Sequence, residues 1–213
     1  MPTENSPTNR ASGHPEGPDS SNFLSVHEFV KAHEKFHDKR TPTDAQTLGR
    51  AARLAGNAIF AVRLQLARLR KSRIDPTSDE VDDAILRRWA DSEFLIIALW
   101  RLRTVAQIAA SVGAAKEIIG GAITKFDQQL PDLQTMRHVS QHLDDYATDH
   151  PRRRQRMPGS AVLIGRRLLE VAGLGDEEFQ WLRGRLNFAD AEAAANALYS
   201  AILKTRDECD ECR

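Results

Sequence analysis

Cysteine is almost missing from this chain: of 213 residues only Cys209 and Cys212 carry a thiol, both within the last five positions. That scarcity excludes a disulfide-stapled secreted fold and fits a reducing cytoplasm. Long apolar runs are missing as well. The longest, Phe94 to Trp100, has seven residues, whereas a membrane-spanning helix needs roughly 20, so no membrane association is expected. The opening MPTENSPTNRASGHPEGPDS has neither the basic start nor the apolar stretch of a secretory signal. Neither sign of charge is in excess, with 30 Lys+Arg against 30 Asp+Glu. This removes a global attraction to nucleic acid and leaves local patches open. A glycine-rich phosphate loop, a G-x-S-x-G elbow and a dinucleotide fingerprint are all absent, which disfavours most familiar enzyme classes and leads us to expect no cofactor.

What is present points to helices. The chain is 41% hydrophobic, and at this length a single core can bury roughly 70% of the surface exposed when unfolded. Arginine outnumbers lysine 23 to 7, a bias that fits a GC-rich bacterial genome. Residues 1–21 hold four of the nine prolines and almost no large apolar side chains, so a disordered tail is expected there. Ser25 and Glu28 resemble a capping box opening a short helix to about Lys39. Thr41-Pro42 then supplies an N-cap and a first-turn proline for a long helix to about Arg73.

That helix carries Leu48, Ala52, Ala55, Ile59, Val62, Leu66 and Leu69, alternately four and three apart, which makes one narrow apolar seam. Gly49, Ala52 and Gly56 suggest close backbone approach near its first half, while the arginines from Arg50 onward make its other faces basic and solvated. Asp75-Pro76 breaks the helix. Thr77 and Glu80 fit a second capping box, and a second seam of Leu95, Leu99, Leu102, Ala106 and Ala109 runs to about Gly113. Between Phe94 and Trp100 every direction is apolar, so this stretch is expected at the bundle centre, covered on all sides, with Trp100 in the core.

A third helix is expected through Ile118, Ile119, Ile123 and Phe126, with Gly120-Gly121 marking close packing or a kink. Pro131-Asp132 opens a fourth through Leu133, Met136, Val139, Leu143 and Tyr146. Arg167 to Ala172 and Phe179 to Leu186 alternate across Gly173-Leu-Gly-Asp and read as a β-hairpin. Asn187 caps a last helix to about Lys204. The expected architecture is mainly α: a helical bundle with two long antiparallel helices, several shorter ones and an appended β-hairpin at about 167–186. It forms a single domain over 22–206, followed by a charged tail over 207–213.

Titratable groups concentrate in Met136-Arg137-His138-Val139-Ser140-Gln141-His142-Leu143-Asp144-Asp145-Tyr146. With Arg137 and His142 at the two fixed positions, this stretch resembles the R-x4-6-H signature of HEPN domains (higher eukaryote and prokaryote nucleotide-binding). The resemblance implies a helical bundle, often a homodimer, in which arginine and histidine line a cleft and cleave RNA without metal; some members are toxins beside an antitoxin. The residue types suit that chemistry. Histidine exchanges protons near neutral pH, and arginine neutralises a phosphate with a forked donor set. On a continuous helix five residues turn two side chains about 140° apart and about 7.5 Å along the axis. A helix break or a partner subunit must therefore bring Arg137 and His142 together.

His138, Asp145 and Tyr146 are supporting candidates. His138, His142 and Asp145 stand at i, i+4 and i+7, a spacing able to bind metal, although no further ligand is marked and no metal is expected. Arg152, Arg153, Arg154 and Arg156, with Arg166 and Arg167, could hold a nucleic-acid backbone, or be solvated or paired with Asp144, Asp145 and Asp149. No aromatics interleave with that cluster to stack bases. Cys209-x-x-Cys212 has no second pair for zinc, and no function is assigned to it. The alternative to an RNA-directed function is a non-catalytic module that self-associates or binds a protein through its two seams.

Overall fold

The computed structural model describes residues 41–72, 74, 77, 79–147, 166–170 and 172–209. The chain divides into residues 1–41 and 42–213, and the elements below belong to the second unit. The expected tail over 1–21, the Ser25–Glu28 cap with its helix, the arginine cluster 152–156 and Cys212 lie outside the described residues.

Helix α1 spans Asp44–Lys71. Its cap is Thr43 rather than Thr41, because Thr43 and Gln46 close a reciprocal box. The Gln46 amide donates to the Thr43 hydroxyl at 3.2 Å, and the Thr43 amide donates to Gln46 Oε1 at 3.1 Å. Every member of the expected seam from Leu48 to Leu69 is buried. The antiparallel α2, Val81–Ala110, buries its own seam from Leu95 to Ala109. Both seams thus close within one chain. Helix α2 starts at Val81 rather than Thr77, and Asp82 and Asp83 supply the first-turn negative charge that the macrodipole favours.

The glycines inside the helices do not force close packing. A Cβ built at Gly49, Gly120 or Gly121 meets nothing within 4 Å, and one at Gly56 makes only an ordinary 3.8 Å contact with the Tyr199 hydroxyl. The small residues that do pack are Ala51, Ala52, Ala55 and Ala58, all buried. The described α1 arginines are exposed as expected, and some of them also find partners: Arg68 pairs with Asp91 at 2.9 Å, and Arg63 donates to Asn196 at 2.8 Å.

A 3-10 turn, Gly113–Ala115, leads into α3 (Lys116–Gln129), followed by α4 (Leu133–Gln141), α5 (Leu143–Ala147) and α6 (Arg166–Glu170). The last helix, α7 (Phe188–Glu208), packs on α1 and α3 and is capped as expected. Asn187 Oδ1 accepts from the Ala189 and Asp190 amides at 2.9 and 3.1 Å.

Before α7 lies an antiparallel meander of β1 (Ala172–Leu174), β2 (Glu178–Trp181) and β3 (Gly184–Asn187). The expected hairpin is present as β1–β2, with Leu174 opposite Phe179. Two details differ from the sequence reading. Arg166–Glu170 is helical rather than extended, and the strand expected from Phe179 to Leu186 folds back at Leu182 and Arg183, with φ of 54° and 64°. Two successive positive φ values make a mirror-type hairpin turn, normally written with Asn or Gly. Trp89 of α2 fastens the sheet to the bundle, edge-on to Phe179 and Trp181 at 5.3 and 5.5 Å between ring centres. Gly184 comes so close to α4 that an added Cβ would stand 2.7 Å from Asp132 Cβ, while Asp132 Oδ2 accepts from the Arg185 amide at 3.0 Å.

Residues Phe94 to Trp100 depart most from expectation. Leu95, Ile96, Ala98 and Leu99 are buried, but Phe94 is 57% exposed and Ile97 and Trp100 are half-buried. Helices cover this stretch on some sides only. The side that stays open is the wall of a groove.

Candidate functional groove

Helix α4 is short and amphipathic, and Leu133, Met136 and Val139 bury one face against α2. Ser140 reinforces the junction, its hydroxyl reaching Glu93 Oε1 of α2 at 3.4 Å. The chain leaves the helix at His142, whose φ and ψ are −128° and 35°, although its amide still donates to Val139 O at 3.1 Å. Leu143–Ala147 then forms α5 as a separate element. The single helix expected from Pro131 to Tyr146 is therefore broken inside the R-x4-6-H stretch.

The break separates two sets of contacts. Half-buried Arg137 lies on the α2 side, with its guanidinium carbon 5.3 Å from the centre of the Trp100 ring. Arg103 stands 4.9 Å from the same ring and is held by two hydrogen bonds of 2.7 Å to Asp127. That bonding raises the Arg103 pKa above its ordinary value. Exposed His142 lies with its ring 5.0 Å from that of His138, which also meets Tyr146 edge-on at 6.0 Å. Tyr146 is 4% exposed, and burial pushes its phenol above the usual value. Asp144 is exposed on α5; the Asp145 backbone lies in α5, with its side chain outside the described residues, like those of Arg166 and Arg167 in α6. No group of three or more His, Cys, Asp or Glu able to hold a metal ion occurs among the described residues.

Arg137 opens onto a groove of about 680 Å³ between α1, α2 and α4. Helix α1 supplies Leu54, Ala61 and Gln65; α2 supplies Phe94, Trp100 and Arg101; α4 supplies Arg137 and Gln141. No carboxylate lines it among the described residues. Two polar atoms in its wall, Arg137 Nε and Gln65 Oε1, are buried without a hydrogen-bond partner in the structure. Natively folded chains leave few buried polar groups in that state, and each costs about 1–3 kcal/mol. The groove thus combines cationic and apolar surface with two unpaired polar atoms buried in its wall.

Sequence reasoning found Arg137 but missed Gln65, Phe94, Trp100 and Arg101 as groove residues. A signal was available. Phe94, Ile97, Arg101 and Thr104 stand at i, i+3, i+7 and i+10, a second stripe beside the α2 seam, and all four line the groove. Among the described residues no helix is long and apolar enough to cross a membrane. The chain matches no family model, no curated protein and no solved structure.

Proposed function

We propose that this protein is a HEPN-like helical protein that binds RNA and cleaves it without metal, with Arg137 holding a phosphate and His142 acting as general acid or base. The observation that supports this reading is Arg137, an arginine with a buried, unpaired Nε in the wall of the groove. On an unbroken helix the two side chains would diverge; the break at His142 leaves them in separate contacts, Arg137 on Trp100 and His142 on His138, so this scheme pairs the arginine with the histidine of a second copy of the chain. Arg137 is held by Trp100 beside a groove without lining carboxylates among the described residues, which suits an anion. Attack of a ribose 2′-oxygen on the adjacent phosphorus expels the 5′-oxygen, so one proton leaves the nucleophile and one reaches the leaving group. Imidazole serves either transfer near neutral pH.

His138, whose ring meets those of His142 and Tyr146, and Tyr146 itself are positioning residues in this scheme, with Asp145 beside Tyr146 on α5. Arg152, Arg153, Arg154 and Arg156 are the further phosphate-binding candidates of this reading, and binding through them would be salt-dependent. A second copy of the chain and an antitoxin-like partner belong to the same reading, in the cytoplasm.

A second reading, a non-catalytic interaction module, is favoured by Leu54 and Phe94, 41% and 57% exposed at the groove. Incubating a mixed RNA pool with purified protein in excess EDTA separates the two. Cleavage by the wild type, reduced about 100-fold or more in Arg137→Ala and His142→Ala at unchanged thermal stability, is the expected result. Intact RNA in every lane, including lanes with divalent metals added back, sinks the ribonuclease and leaves the interaction module.

A further inference from the structure

The two unpaired atoms in the groove wall have complementary hydrogen-bonding roles. Arg137 Nε carries a hydrogen and can only donate; Gln65 Oε1 can only accept. They come from α4 and α1, helices well separated in sequence, yet line one cavity. The walls around them are apolar, built from Ala58, Ile97 and Val105, and Phe94 presents an exposed ring. Arg101, exposed on the same α2 stripe, adds a second positive charge. At about 680 Å³ the groove falls in the range of ligand sites, roughly 300–1,000 Å³.

A ligand that fits all of this is flat and apolar on its faces, carries a donor beside an acceptor on its edge, and bears a negative charge next to it. An unpaired nucleotide has that combination. We propose that the groove is a subsite for one unpaired base of single-stranded RNA, its edge hydrogen-bonded by Gln65 Oε1 and Arg137 Nε and its face stacked on Phe94, while the terminal nitrogens of Arg137 keep the phosphate that the RNA reading gives them. Arg101 takes a flanking phosphate. Gln65 is then a specificity-determining residue, because its amide meets the base edge rather than the sugar or phosphate common to all nucleotides. This subsite rests on the RNA reading above.

The test measures binding of short labelled homopolymers of A, C and U by fluorescence anisotropy, in EDTA and on the His142→Ala background so that cleavage does not interfere. The expected result is a preference of roughly tenfold for one homopolymer, lost in Gln65→Leu as the tightest binder falls to the level of the others. Phe94→Ala should weaken every homopolymer about tenfold, since stacking ignores base identity. A preference that survives Gln65→Leu in a protein of unchanged thermal stability, or its absence from the start, overturns the subsite while leaving RNA binding standing. No binding of any homopolymer overturns both. A Phe94→Ala variant that binds RNA like its parent but changes its mass in solution would make the groove a protein-docking face instead.

Discussion

Arginine plays opposite roles at two positions of this chain, and burial together with hydrogen bonding decides which. Arg88 is 1% exposed and gives its donors to three backbone carbonyls: Leu69 O at 2.6 Å, Ser72 O at 2.5 Å and Gly175 O. It ties the end of α1 to the β1–β2 turn, with Phe188 under its guanidinium at 5.8 Å. Burial lowers its pKa, and Asp176 opposes that shift. Arg137 instead keeps a buried donor unpaired. Arg88→Met retains much of the apolar stem but leaves three carbonyls short of a donor, so about 3–5 kcal/mol of unfolding free energy should disappear. Urea denaturation reads this directly, and a loss below about 1 kcal/mol would mean that water replaces the donors without cost. The sequence carried a signal for this position that the seam reading from Leu95 onward passed over. Arg88, Ser92, Leu95 and Leu99 continue the four-three spacing, so a charged residue stands in phase with the seam.

Among the elements, the helices and the hairpin were legible, and the breaks and turns within the shorter elements were not, for a physical reason. The seams of α1 and α2 repeat over several turns, and each repeat points to the same face. The meander offers no such redundancy. Its β2–β3 turn uses Leu182 and Arg183 at positive φ, residues that pay a steric cost there and carry no turn signal. The break at His142 is likewise unmarked by glycine or proline. Tyr146 gives that region a measurable handle. Burial raises its folded pKa above the unfolded value of about 10, so the fold favours the protonated phenol. Its contribution is complete below about pH 10 and is lost as pH climbs through the raised folded value. Urea midpoints collected from neutral to strongly alkaline pH should therefore fall less in Tyr146→Phe than in the wild type. Equal slopes would show that the phenol opens to water before it ionises.

Across the whole molecule, the sequence identified which surfaces are apolar but not which of them the fold would use up. Two seams and one all-round apolar stretch look equally able to bind a second subunit. The structure spends both seams inside one chain, with Ile59 at 3%, Leu66 at 1% and Leu99 at 0% exposure. It leaves Phe94 and Leu54 at the groove. Balanced charge adds no long-range attraction, so recognition falls to local features such as Arg101 and Arg137. A paired substitution tests this division. Ile59→Asp buries an unpaired carboxylate and should cost about 3–5 kcal/mol, enough to abolish a cooperative melt in a marginally stable chain. Phe94→Asp changes a side chain already in water and should shift stability by about 0.5 kcal/mol or less, yet it sets an acidic group beside the two groove arginines. Thermal melts alone check the first half. The second half needs a melt together with RNA binding and light-scattering mass: a folded Phe94→Asp protein that loses either RNA or a partner copy identifies what the groove holds, whereas one unchanged in both moves the functional surface elsewhere on the molecule.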